Sequence, residues 1–363
     1  MRADVEPAES LELAEHGGPD GVRDAAQPVR MDFSTCVNAY GPAPAVAEAV
    51  RRAPIDAYPD PRALAPREAA AAYWDVAVDR VSFGAGAAEL IAAAACALLR
   101  ANDVALVAAP AFGEYARAAA LCGARVTEIR GADPFAPEAD EVVDAIRRVR
   151  PRVVFLAAPS SPAGRAYTAD ALARVADACA DAGARLVLDQ SYDAFLSAPL
   201  GTPTLGDHPA VLVIRSLTKD HALAGLRAGF AIGPAPLIER LERVRTPWSA
   251  STPAQAAAGA ALSAAGDAHL AATLPRLRAE RMRIAATLDA AGIATVPSDT
   301  HYLLADVGDG RTWTSALRRT GIAVRPCASF GLPRHVRIAA RTPAENDALL
   351  AALPPVLQPR SAP

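Results

Sequence analysis

Between about residues 80 and 235, short β-rich runs alternate with helical stretches, and this alternation limits the fold more than any other feature. Strands are expected at 104–108, 125–129, 153–157, 186–189, 211–215 and 230–233. Helical patterns lie between them, for example at 88–100, 112–122 and 169–182. Continuous apolar runs separated by helices read as βαβ units, so the chain is α/β with a mostly parallel central sheet covered on both faces. From 236 to 290 the pattern turns helical, with a long charged segment around 274–288. The stretch 291–353 mixes strands (302–307, 336–339) with helices (313–319, 343–353) and predicts a smaller α+β domain. The expected division is an N-terminal arm (1–45) packing with the small domain, a large domain (46–270), a small domain (271–353) and a disordered tail (354–363).

The formal net charge of −3 offers no basic face for nucleic acid or an anionic membrane. The densest basic run, Arg147, Arg148, Arg150 and Arg152, sits where a helix should end, and cations are favourable there. Five cysteines, Cys36, Cys96, Cys122, Cys179 and Cys327, are odd in number and never form a CxxC pair. That spacing argues for a reducing compartment and against a disulfide framework or a metal site. The acidic N-terminus lacks the apolar stretch of a signal peptide, and no run approaches the ~20 apolar residues needed to span a bilayer. A cytoplasmic location is expected.

Of the 37 lysines and arginines, only Lys219 is a lysine. A coding bias toward arginine explains the rest, and it makes the exception informative. Arginine can replace lysine in most ion pairs, but its guanidinium stays protonated and cannot condense with an aldehyde. A lone lysine in such a chain is a candidate for amine chemistry.

Ligand sites in open α/β sheets lie beyond the carboxyl ends of the strands. Gly84, Ala85 and Gly86 precede a helix whose first N–H groups, on Ala87 and Ala88, can hold a phosphate; taken alone, the same pattern is also a plain turn. Phe112 follows a strand end, where an aromatic either stacks on a planar ring or packs in the core. Asp189 ends the apolar run Leu186, Val187, Leu188. A carboxylate buried there needs a partner such as a protonated pyridine nitrogen. Tyr192, three residues on, can reach the phenolic oxygen of such a ring. The strongest local motif runs from Ser216 through Thr218 and Lys219 to Arg227, a hydroxyl and a forked cation framing the lysine.

The segment from Ser216 to Gly229 resembles the cofactor-attachment signature of the class I/II aminotransferases that use pyridoxal phosphate, and the likeness extends over about 30–353. In particular the chain is similar to the branch containing histidinol-phosphate aminotransferases and threonine-phosphate decarboxylases. His16-Gly17-Gly18, Asp32-Phe33-Ser34, Tyr58-Pro59-Asp60, Phe112-Gly113-Glu114-Tyr115, Pro247-Trp248-Ser249 and Val324-Arg325-Pro326-Cys327 carry that likeness. The resemblance implies a fold-type-I homodimer of a biosynthetic enzyme, with pyridoxal 5'-phosphate bound to Lys219 as a Schiff base. It implies amino-group transfer on a small amino acid or amine, with amino-acid decarboxylation as the alternative. Lys219, Asp189 and Tyr192 would be catalytic, and Gly86, Ala87, Ala88, Phe112, Ser161, Ser216, Thr218 and Arg227 would hold the cofactor. Tyr58 would reach the neighbouring subunit's phosphate, and Arg337, Arg325, Asn38 and His16 would meet the substrate. The chain departs from the family in two places. Ser161 stands where relatives carry an asparagine that donates to the phenolic oxygen, and Cys36 stands where they often carry another asparagine.

Overall fold

The computed structural model describes residues 28–200 and 205–357. Seven strands form the central sheet: β2 (Val81–Gly84), β3 (Val104–Ala109), β4 (Arg125–Arg130), β5 (Val153–Ala157), β6 (Arg185–Asp189), β7 (Val211–Ser216) and β8 (Gly229–Ile232). Their order is β2-β8-β7-β6-β5-β3-β4. The pairings from β4 to β7 are parallel, while β8 runs antiparallel to both its neighbours. Each of the six strands expected in this region falls within one residue of its observed bounds.

Strand residues sort by parity between two layers of helices, as side chains of period two must. Val154 and Leu156 join the core beneath α5 (Ala139–Val149) and α6 (Ala169–Ala182). Val153 and Phe155 face α3 (Ala87–Leu98) and α4 (Glu114–Leu121) on the other side. The helices end where local chemistry says they should. A capping box between Glu138 and Glu141 opens α5, and Arg147 and Arg148 occupy its last turn, as the charge argument expected. The Thr168 hydroxyl accepts from the Ala171 N–H at 3.1 Å to open α6, and Gly183 at φ 71° closes it.

Around this body lie α1 (Pro44–Arg52), α2 (Leu64–Trp74), α7 (Ala235–Val244) and α8 (Thr252–Ala261). The 27-residue α9 (Ala264–Ala290) follows, continuing through Pro275 and extending well beyond the charged segment expected at 274–288. A second, antiparallel sheet has the order β12-β13-β10-β9, from β9 (Thr295–Val296), β10 (Tyr302–Asp306), β12 (Arg325–Pro326) and β13 (His335–Ala339). Near the N-terminus, β1 (Met31–Asp32) pairs in parallel with β11 (Ile322–Ala323), and Phe33 enters the core formed by Ile284, Leu288, Trp313 and Ile338. α10 (Gly310–Arg318) and α11 (Pro343–Leu357) are the last two helices among the described residues. α11 runs four residues past Leu353, so residues 354–357 are helical where the sequence suggested disorder. Among the described residues no helix is long and apolar enough to cross a membrane.

Gly229 marks a tight junction between sheet and helix. A Cβ there would lie 2.9 Å from the Arg215 carbonyl oxygen and 3.1 Å from the Ala87 nitrogen, both backbone atoms that cannot yield cheaply. Gly229→Ala is therefore expected to cost about 1–3 kcal/mol, as overpacked sites do. Thermal melts of the two proteins check this; an unchanged midpoint would contradict the close approach of β8 to the start of α3.

Candidate functional site

A cavity of about 450 Å³ opens at the carboxyl ends of β5, β6 and β7, closed on its far side by Arg325 and Arg337 from the second sheet. Ala87, Ala88, Phe112, Ser161, Asp189, Tyr192, Ser216, Thr218, Lys219 and Arg227 all line it. Ten residues that the sequence assigned to one ligand thus converge from five separate stretches of chain.

The phosphate-sized end is built at the start of α3. Gly86 caps this helix at φ 86° with no side chain to satisfy the first N–H groups, so those of Ala87 and Ala88 remain available to an anion. Glu89 shapes the loop by accepting from the Ala85 N–H at 2.9 Å and from the Arg245 guanidinium at 3.2 Å. A Cβ on Gly86 would lie 2.9 Å from Nη2 of Arg227, so the glycine allows that cation to come against the helix start. Arg227 also donates to the Thr218 hydroxyl at 3.4 Å, and the Ser216 hydroxyl accepts from the Thr218 N–H at 3.2 Å. The cradle offers N–H groups, hydroxyls and a guanidinium, the donor set that suits a phosphate monoester.

At the centre, Asp189 is buried, with Oδ1 accepting from the Ser191 N–H at 2.9 Å. Oδ2 accepts from the Tyr115 hydroxyl at 2.7 Å. Burial and the Asp189 charge raise the Tyr115 hydroxyl well above the ordinary tyrosine value, so it stays protonated as a donor. Sequence reasoning gave Tyr115 no role. Its signal was its place three residues after Phe112, which sets the two rings edge to face with centroids 5.8 Å apart. Ser34, Thr35, Glu114 and Phe330 also line the cavity without having been assigned to it.

Lys219 points its Nζ to within 5.9 Å of the Tyr192 ring centre. Desolvation by the surrounding protein holds its amine below the ordinary lysine value, with the Arg337 and Arg227 charges acting in the same direction. A neutral amine at moderate pH is what carbonyl condensation requires.

Arg325 and Arg337 are both nearly buried and stand directly opposite each other on β12 and β13. Arg337 donates to the Ser161 hydroxyl and to the Ser34 carbonyl, each at 3.0 Å, while its Nε–H has no partner. Arg325 donates to Ser329 at 2.8 Å and packs over the Phe330 ring. Ser161, expected beside the phenolic oxygen of a cofactor, accepts from Arg337, so its hydroxyl oxygen is engaged by a guanidinium.

Among the described residues, two expected ones lie elsewhere. Asn38 does not line the cavity: its amide donates to the Asp220 carbonyl and the Thr273 hydroxyl, each at 3.0 Å. Its backbone N–H donates to the Lys219 carbonyl at 2.8 Å. Tyr58 is 85% exposed and packs against Trp248, with ring centres 5.4 Å apart. His16 lies outside the described residues.

The family described as aminotransferase class I and II matches residues 29–353. A histidinol-phosphate aminotransferase from Halobacterium salinarum is 34% identical over 352 residues, covering 92% of this chain and 94% of that protein. Another from Mesorhizobium japonicum is 33% identical, covering 88% of each. Among solved structures, the histidinol-phosphate aminotransferase from Sinorhizobium meliloti in complex with pyridoxal-5'-phosphate superposes with a TM-score of 0.86 at 26% identity, covering 97% of this chain and 98% of that one. These relatives favour amino-group transfer over the decarboxylase alternative. The lone lysine, the strand-end carboxylate and the phosphate cradle at the start of α3 fit the cofactor of these proteins, and the chain belongs to the class I and II aminotransferases, as a pyridoxal-phosphate-dependent aminotransferase.

Proposed function

We propose that this aminotransferase acts on a small amine or amino acid carrying an anionic group on its side chain, of which histidinol phosphate, named in its relatives, is the first candidate. One observation carries the reading: two guanidiniums, Arg325 and Arg337, face each other across one strand pair at the cavity wall. Two forked cations on one cavity wall suit an anionic substrate group, which a guanidinium can bind through paired N–H donors. The unpartnered Nε–H of Arg337 is a donor available for that anion.

When bound, pyridoxal phosphate supplies an aldehyde that condenses with amines and a protonated ring that withdraws electrons. The chain's own groups divide the remaining work. The Ala87 and Ala88 N–H groups, Ser216, Thr218 and Arg227 would hold the phosphate. Phe112 would cover one face of the ring. Asp189 would hold the proton on the pyridine nitrogen, and Tyr115 with the Ser191 N–H would fix the carboxylate for that task. The Tyr192 hydroxyl, kept protonated by burial, would donate to the phenolic oxygen. Ser161 would share in this while orienting Arg337. The Lys219 amine, once free, would carry the proton between the substrate carbon and the cofactor carbon beside it.

The domain division at residues 45, 270 and 353 is part of the same reading. So is a homodimer, in which the exposed Tyr58 reaches the partner's phosphate. The free cysteines favour a cytoplasmic location.

The direct test is turnover of histidinol phosphate and a panel of amines with a keto-acid acceptor, measuring keto-acid consumption and carbon dioxide together. Arg325→Ala should raise KM for the phosphorylated substrate about tenfold or more, since a charge-assisted hydrogen bond contributes about 1.5–3 kcal/mol. Carbon dioxide released without loss of the keto acid would overturn amino transfer.

Borohydride reduction of the holoenzyme should place the pyridoxyl mass on Lys219. With apoenzyme, the rate of cofactor capture should reach half-maximum at a pH below that of a free lysine side chain, because the amine loses its proton earlier as pH rises. A mass on any other residue, or a midpoint at the ordinary lysine value, would count against Lys219.

Tyr115→Phe should fold and yet release pyridoxal phosphate about tenfold more readily, because Asp189 loses one of its two hydrogen bonds. Fluorescence titration of the apo forms reads this, and equal affinities would remove Tyr115 from the site.

A further inference from the structure

Two of the five cysteines meet outside the cavity. Cys96 lies in the last turn of α3 and Cys122 directly follows α4, with their Sγ atoms 3.6 Å apart. Cys96 is exposed and Cys122 partly so, whereas Cys36, Cys179 and Cys327 are buried. The guanidinium of Arg100 sits beside the pair, donating to the Cys96 carbonyl at 3.3 Å. A disulfide bond is about 2.05 Å long, so roughly 1.5 Å of approach at two helix ends, within reach of side-chain rotation, would join them.

We propose that Cys96 and Cys122 form a reversible dithiol site that reacts with small-molecule disulfides. The exposed Cys96, as its thiolate, attacks one sulfur of the reagent; the reagent's S–S bond breaks and one small thiolate leaves. Cys122 then releases its proton to solvent and attacks Cys96 Sγ, forming the intramolecular bond and expelling the second small thiolate. The chain gives up two electrons and two protons, and the reagent is reduced to two thiols. The order follows from the surroundings: burial, and the hydrogen bond to Cys96, push the Cys122 thiol up to about 11, so it is the poorer first nucleophile. The bond would tie α3 to α4, whose first turns bring Ala87, Ala88, Glu114 and Tyr115 to the cavity. Because the tie lies at the opposite ends of both helices, it should slow heat inactivation and loss of the cofactor while turnover stays within about twofold. The site stands whether or not the substrate reading above holds.

Holoenzyme treated with oxidised glutathione at mildly alkaline pH, then alkylated and digested without reductant, tests this directly. The expected product is a Cys96–Cys122 linked peptide that disappears with dithiothreitol, with the other three cysteines alkylated only after denaturation. In Cys122→Ser, Cys96 should retain a glutathione adduct, because no neighbouring thiol expels it. Separate persistent adducts on both cysteines of the natural protein, or an unmodified Cys96 in the variant, would overturn the proposal.

Discussion

Asp189 is a carboxylate placed at the floor of a cavity with two hydrogen bonds and no ion-pair partner among the described residues, and the rest of the site is arranged around that fact. An uncompensated buried charge is costly, and folds retain one only where something else offsets it. Tyr115 and the Ser191 N–H satisfy the carboxylate's lone pairs without neutralising it. The charge therefore remains directed at the cavity, where the proposed pyridinium supplies the missing cation. This explains why α4 must pack closely enough for its first turn to reach the end of β6, and why the Tyr115 ring stacks almost parallel on Phe155, with an interplanar angle of 8°.

The inner strands β5 and β6 were readable because they are buried on both faces, so they appear in the sequence as apolar runs. The second sheet was only half visible. β9 and β12 have two residues each, too few for any period, and β10 and β13 hold them in register, while the equally short β11 pairs with β1 outside that sheet. The same division runs through the site. Lys219, Arg227 and Asp189 declared themselves by residue type and position at strand ends. The bond from Tyr115 to Asp189 spans 74 residues, and although Tyr115 follows Phe112 by three residues, that spacing does not name its partner. Asn38 was placed at the substrate by resemblance, yet its amide is consumed in joining the Lys219 loop to α9 through Asp220 and Thr273. Ser161 lines the cavity, and its hydroxyl meets a guanidinium from the other sheet, a partner 176 residues away.

The Arg337–Ser161 bond therefore joins the two sheets at the cavity itself. Arg337 belongs to β13, Ser161 follows β5, and Arg337 also binds the Ser34 carbonyl just after β1. An anion that engages the Nε–H of Arg337 would draw on a side chain already fixed by both sheets, so little rotamer entropy remains to be lost on binding.

The pairing of β1 with β11 has a consequence for how the chain is made. Met31 and Asp32 leave the ribosome about 290 residues before Ile322 and Ala323, which complete their sheet. At about 5–20 residues per second, the interval is on the order of tens of seconds. During that time Phe33, fully enclosed in the finished protein, has no core to enter. The central sheet can fold within that window, but the segment around Phe33 stays exposed to chaperones and proteases until residues 322–323 have emerged.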